Sequence, residues 1–237
     1  MRILPFTLVL TALLLPTPAD TAAATTHLPP FAVAYRETAA RMLATGCPYA
    51  AWAAQGRHFL TFDPAGDGRG AEVLGDLATA SRVAVLVPGV DTVLADFDRG
   101  LGGVARRAPG VQARSLHAQL RKRSTDVAVI AWLGYDPPEG LGPAAATEGR
   151  ARAGAAQLTT FVRDVLRQRP GVTVTLIGHS YGALVVGLAA RNLPEVADVV
   201  TLGAPGIGAT WRPEASAAAG VLRSSRMVTF EYLMASV

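Results

Sequence analysis

The sequence predicts a single α/β domain built on a mostly parallel sheet with helices on both faces. Three observations carry that prediction. Four runs, VAVLVPG (83–89), DVAVIAWLG (126–134), VTVTLI (172–177) and ADVVTLGAPG (197–206), are continuous in apolar, largely β-branched residues, the pattern of strands buried on both faces. Segments of helical spacing separate the runs, and alternation of strand with helix lays successive strands parallel. Finally, 50% of the 237 residues are hydrophobic and 17% charged, a composition sufficient for one sizeable core and hardly for two. No internal repeat or low-complexity linker divides the chain.

The first residues, MRILPFTLVLTALLLPTPADTAAA, place one charge (Arg2) before an apolar stretch from Ile3 to Leu15, followed by small residues and prolines up to Ala24. This layout predicts a secretory signal peptide over 1–24, too short in its apolar part to span a bilayer comfortably. Pro5, Pro16 and Pro18 argue against a buried helix there. The expectation is a secreted, extracellular protein whose mature part, 25–237, is one domain with no transmembrane anchor after cleavage. Cys47 is the single cysteine, so no intrachain disulfide forms. It is expected as a partly buried structural thiol in a loop before Pro48.

Along the mature chain, FAVAYRETAARMLAT (31–45) has helical spacing. The stretch at 57–76 reads as two short strands around a Gly/Asp-rich turn. Asp63 and Asp67 there lack the alternating oxygen ligands and closing glutamate of a calcium loop, so they are expected as turn residues. Residues 92–122 have helical spacing interrupted by Gly100, Gly102-Gly103 and Pro109-Gly110. A helix is expected over 147–169, with Thr147 as N-cap and Pro170-Gly171 as its stop. Another follows at 182–192.

The net charge is +4 and the isoelectric point about 9.7, but the basic residues are dispersed along the sequence. Even the densest run, Arg121-Lys122-Arg123, has no interleaved aromatic residues for base stacking. Solvated helix faces account for them, and no nucleic-acid partner is expected. No G-x-G-x-x-G or phosphate loop follows the first parallel strand, which argues against a nucleotide-binding protein. No metal or organic cofactor is implied.

The chemistry concentrates in TLIGHSYGAL (175–184). Gly178, Ser180 and Gly182 form G-x-S-x-G, a pattern expected about 0.08 times by chance in this composition and therefore weak alone. Its context is more telling, because a buried strand precedes it and a helix follows. In such an elbow the strand turns abruptly into the helix, and side chains at the two glycines would collide as the elements cross. The helix N-terminus then directs its unpaired amides at the serine, where negative charge develops in acyl transfer. Two backbone donors are expected for the oxyanion: Tyr181, after the nucleophile, and Val90, in the turn after VAVLVPG, with Gly89 permitting close approach.

The segments FDPAGDGRG, VAVLVPGVDT, AVIAWLGYDPP, LIGHSYGALVVG and VVTLGAPG, in that order, resemble the α/β-hydrolase superfamily, in particular the DUF1023 family, over about residues 57–208. The resemblance implies an α/β-hydrolase fold with Ser180 as nucleophile. The reaction expected is hydrolysis of carboxylic esters, of small-molecule or lipid-like acyl substrates, through an acyl-enzyme. An amidase or peptidase would use the same parts.

A serine hydrolase of this fold orders its triad Ser, acid, His along the chain. The four histidines are His27, His58, His117 and His179, and none follows Ser180. His179 adjoins the serine but should diverge from it. His117 lies on a helix leading to the opposite end of the sheet, His58 opens a hairpin strand, and His27 lies by the leader junction. The base is therefore unknown. Glu231, after the strand-like MVTF run, is the candidate acid; Asp198 begins its strand and faces the wrong end, and Asp136 sits at the right end of a less usual strand. Past Leu202 the chain is expected to be shortened, without the fold's last strands and final helix, leaving a sheet edge uncovered. The alternative to an active hydrolase is a catalytically impaired hydrolase-fold binding protein.

Overall fold

The computed structural model describes residues 27–140 and 148–203. In chain order it contains α1 (Phe31–Thr45), α2 (Tyr49–Ala54), β1 (His58–Asp63), β2 (Arg69–Leu74), β3 (Arg82–Val87), α3 (Pro109–Arg121), β4 (Val127–Leu133), α4 (Gly149–Gln168), β5 (Thr173–His179), α5 (Tyr181–Ala190) and β6 (Val196–Leu202), with short 3₁₀ turns between β3 and α3. The four apolar runs thus become β3, β4, β5 and β6. The 57–76 stretch becomes the β1–β2 hairpin, its turn closed by the Ala65 N–H donating to Asp63 Oδ1 at 3.0 Å.

Three local expectations are corrected. The stretch after Cys47 is not all loop: α2 forms there and inserts Trp52 among Phe59 and Phe97. Cys47 itself is exposed rather than partly buried, because it lies in the turn between two surface helices. The α4 helix begins at Gly149, after Glu148, while Thr147 lies outside the described residues. So do the leader over 1–24 and Glu231.

The sheet order is β1-β2-β4-β3-β5-β6. β2 runs antiparallel to β1 and β4, and the β4-β3-β5-β6 part is parallel. All seven residues of β4 are buried, as its central place demands. The side-chain period of two divides the core. Val83, Val85, Val87, Ile130 and Trp132 pack with α4 and α5 on one face. Ala84, Leu86, Val129, Ala131 and Leu133 pack with Trp52, Phe97 and Ala113 on the other. The fold therefore sandwiches the sheet between α4/α5 and α2/α3. Among the described residues no helix is long and apolar enough to cross a membrane.

Two buried carboxylates tie distant segments together. Glu72 on β2 accepts Arg57 Nε at 2.6 Å and Arg57 Nη2 at 2.7 Å, while Arg57 Nη1 reaches Asp98 at 2.5 Å. Arg114 on α3 donates to Asp98 at 2.7 Å, and the Arg57 guanidinium lies 4.6 Å from the Trp52 ring centre. Burial pushes the Asp98 carboxyl upward, but the two guanidiniums outweigh it and hold it below its ordinary value. Asp164 on α4, 1% exposed, takes the Leu28 N–H at 2.6 Å, His27 Nδ1 at 2.9 Å and Arg167 at 2.7 Å. Burial raises its pKa, and these donors outweigh burial and lower it.

Arg57→Ala should cost about 3 kcal/mol in urea denaturation, because it leaves the buried Glu72 charge with only the longer contact to Arg114 at 3.6 Å. The lowered carboxyls set the acid limb. Their stabilisation is fully present above about pH 4 and is lost as pH falls through the lower folded values. Asp164→Asn should therefore lower stability at neutral pH and flatten the decline below about pH 4 in a denaturation series.

Candidate active site

At the carboxyl end of β5 the chain reverses into α5 through Ser180, whose backbone lies at φ 53°, ψ −123°. Only Ser180 and Asp91 combine positive φ with a side chain among the described residues. Such a conformation persists only where surrounding structure over-determines it, and here that structure is close packing of backbone on backbone. A methyl group at Gly178 would lie 2.5 Å from Ala183 Cα and 2.5 Å from Gly182 O. One at Gly182 would lie 2.3 Å from Val87 O and 2.5 Å from Pro88 O. Both glycines thus stand where three elements cross: β5, α5 and the end of β3. The Ser180 N–H donates to Leu202 O at 2.8 Å and its carbonyl accepts the Ala183 N–H at 2.9 Å, fixing the turn from β6 and from within α5.

The turn after β3 lies against this serine. A methyl group at Gly89 would stand 2.8 Å from Ser180 Cβ and 3.2 Å from Ser180 Oγ. Val90 follows directly and packs, half-buried, against the core beneath α5. Tyr181 is the first residue of α5. Its buried phenol oxygen accepts the Ala151 N–H of α4 at 3.1 Å, so the side chain is anchored away from the turn. Of the two expected donors, Tyr181 directly follows Ser180, and Val90 directly follows Gly89, the residue that lies against Ser180.

Sequence reasoning did not foresee what holds the 88–92 turn. Thr92 Oγ1 donates to Gly89 O at 2.9 Å, and Tyr135 Oη donates to Pro88 O at 2.7 Å. Burial pushes the Tyr135 phenol far above its usual range, so it remains a donor at all working pH. Asp91, at φ 56°, donates its N–H to Pro138 O at 3.0 Å and accepts the Gly140 N–H on Oδ1 at 2.5 Å. The loop after β4 is thereby tied to the loop after β3 from both sides. The one cue in the sequence is Asp91, separated by Val90 alone from the Pro88-Gly89 pair, and Asp is a residue type that tolerates left-handed backbone.

The histidines stand where the sequence put them. His179 falls on the same side of β5 as Ile177 by strand alternation, and burial lowers its pKa. His117 lies near Gly75 and the start of β4, at the end of the sheet opposite Ser180; burial, then nearby Arg121, lowers its pKa. His58 stacks on Tyr35 with ring centres 4.6 Å apart, and His27 bonds to Asp164. Among the described residues none bonds to Ser180 Oγ. Asp136, past the end of β4, pairs with Arg150 at 2.5 Å. Asp198, half-exposed, lies opposite Thr175 near the start of β6.

The crossing gives direct tests of the architecture. Gly182→Ala should cost about 3 kcal/mol or more, since overpacking against backbone has no rotamer to yield, and should lower Tm by about 6–12 °C in calorimetry. Asp91→Ala loses an acceptor and the tolerance for positive φ, and should cost about 1–3 kcal/mol; Asp91→Asn keeps both features and should remain within about 1 kcal/mol of the parent.

Uncharacterised proteins of Mycobacterium bovis and Mycobacterium tuberculosis are 36% identical over 162 residues, which cover 64% of this chain and 58% of theirs. A second Mycobacterium tuberculosis protein is 34% identical over 156 residues, 63% of this chain and 23% of its own. The chain thus spans less than two thirds of the length of these relatives. Among solved structures, a lidless a/b serine hydrolase of Xanthomonas campestris aligns at 19% identity and TM-score 0.40, covering 66% of this chain and 64% of that one. A thermostable carboxyl esterase of Bacillus coagulans aligns at 18% and 0.35, covering 62% and 43%. A family model described as alpha/beta hydrolase matches residues 63–221, and with a sheet of order β1-β2-β4-β3-β5-β6 the chain belongs to the alpha/beta hydrolase family.

Proposed function

We propose that the protein is a serine hydrolase that cleaves carboxylic esters through an acyl-enzyme on Ser180. The observation that carries this reading is the backbone of Ser180 itself, held at φ 53° by glycines that admit no side chain. That conformation lifts Oγ out of the strand-to-helix turn and against the Gly89-Val90 turn. Attack of Oγ on an ester carbonyl would place the oxyanion between the N–H groups of Val90 and Tyr181, and donors of this kind are worth about 3–4 kcal/mol of barrier. The alcohol leaves, and water hydrolyses the acyl-serine. Small-molecule or lipid-like acyl esters are the substrate class, and residues 1–24 support action outside the cell.

One observation favours a second reading. None of the four histidine rings bonds to Ser180 Oγ, and none follows it in the sequence; a hydrolase-fold binding protein that retains the elbow would look the same. A fluorophosphonate probe separates the two. The hydrolase reading expects stoichiometric labelling of the folded chain that Ser180→Ala abolishes. A folded chain that stays unlabelled supports the binding protein.

A further inference from the structure

We propose that the α3 face of the sheet is a docking surface for an anionic phospholipid membrane. Residues 99–123 hold seven of the chain's 22 basic residues and none of its 18 acidic ones. The rest of the chain is therefore net acidic, and the whole of the positive excess lies in one segment on one side of the sheet. The excess is thus concentrated in one stretch of sequence, which the fold places on the α3 side of the sheet.

Two of the seven are engaged: Arg99 with Asp96, and Arg114 with Asp98 and Glu72. The other five, Arg106, Arg107, Arg121, Lys122 and Arg123, are exposed and have no acidic partner among the described residues. They form two clusters, one at each end of the 13-residue α3, a separation of about 20 Å. No single small anion bridges that distance; an extended anionic surface does.

The choice of a lipid surface over a nucleic acid rests on two further features. Residues 99–123 contain no Phe, Tyr or Trp, so there is no platform on which bases could stack. Beside Arg106 and Arg107 the chain instead presents Leu101, one of two exposed large hydrophobic residues in the described part, at 40% exposure. It is followed by the exposed Gly102 and Gly103. An exposed apolar side chain in the same segment as exposed cations is what an interfacial anchor requires: charge recruits the surface and the apolar tip enters it. This surface lies on the face of the sheet opposite α4 and α5.

Co-sedimentation with vesicles tests this on the full chain. One set is phosphatidylcholine alone and the other contains about 40% phosphatidylglycerol, whose charge should contribute about fivefold in partitioning per nearby basic residue. The N-terminal stretch also carries Arg2, so the charge variants at the ends of α3, compared with the parent, read the basic surface. The expected result is at least tenfold tighter binding to the anionic vesicles, lost as salt rises from about 50 to about 500 mM. Arg106→Gln/Arg107→Gln and Arg121→Gln/Lys122→Gln should each lower it about tenfold or more with unchanged thermal stability, and Leu101→Ser should weaken the binding that survives at high salt. Equal binding to both vesicle sets, binding to neither, charge variants that bind like the parent, or tighter binding to duplex DNA than to anionic vesicles overturns the proposal.

Discussion

The rest of the site depends on one constraint, the approach of three backbones with no side chain between them. Where β5 turns into α5, Gly178 meets Ala183 and Gly182 while Gly182 meets the Val87 and Pro88 carbonyls. Space for a single methyl is missing at each. Because the crossing is so close, Ser180 is forced to positive φ, the N-terminus of α5 is aimed at it, and the turn after β3 comes to rest against it. The strain is maintained by what surrounds it, namely the bond from Ser180 N–H to Leu202 O and the apolar packing of α5 under β3, β4 and β5. Parallel pairing in register from Arg82–Val87 to Thr173–Gly178 makes the ends of β3 and β5 coincide, so fold and site are one consequence of the same strand alignment.

A second tier of contacts holds the loops over that end of the sheet. Tyr135, Pro138 and Gly140 reach from the loop after β4 to Pro88 and Asp91. Each is a bond to backbone or from backbone, the kind that fixes a turn whatever side chains surround it. The ionic cluster of Arg57, Glu72, Asp98 and Arg114 lies away from this end and fastens β2 to the segment before β1 and to α3. It is structural, and its charges cancel locally, which is why the uncompensated basic residues at the ends of α3 stand out.

Much of this was legible in the residues. The apolar runs declared their strands because a strand buried on both faces has no polar alternation to confuse it. Elbow glycines, serine and the Gly89 turn were legible because steric exclusion leaves only one residue type. The hairpin was visible too, although its antiparallel attachment to β4 was not, since pairing between residues about 60 apart leaves no local trace. α2 was missed because six residues after a Cys-Pro turn carry too short a period to see, and its stability comes from Trp52 packing against Phe59 and Phe97. The Asp91 brace and the Arg57–Glu72–Asp98 cluster were invisible for the same reason: partners 15, 41 and 49 residues apart meet only once the sheet exists. The basic excess of residues 99–123 is countable in the sequence, but which side of the sheet carries it is settled only by the packing of α3.

We propose that this crossing makes Ser180 a nucleophile toward acyl carbon. Acid-quenching a reaction with a chromogenic short-chain ester and mapping the peptides by mass spectrometry tests it most directly. One acyl group is expected on the peptide containing Ser180, formed in a burst with the released alcohol and absent from the Ser180→Ala chain. An acyl group on any other residue, or ester turnover that survives Ser180→Ala undiminished, would contradict it.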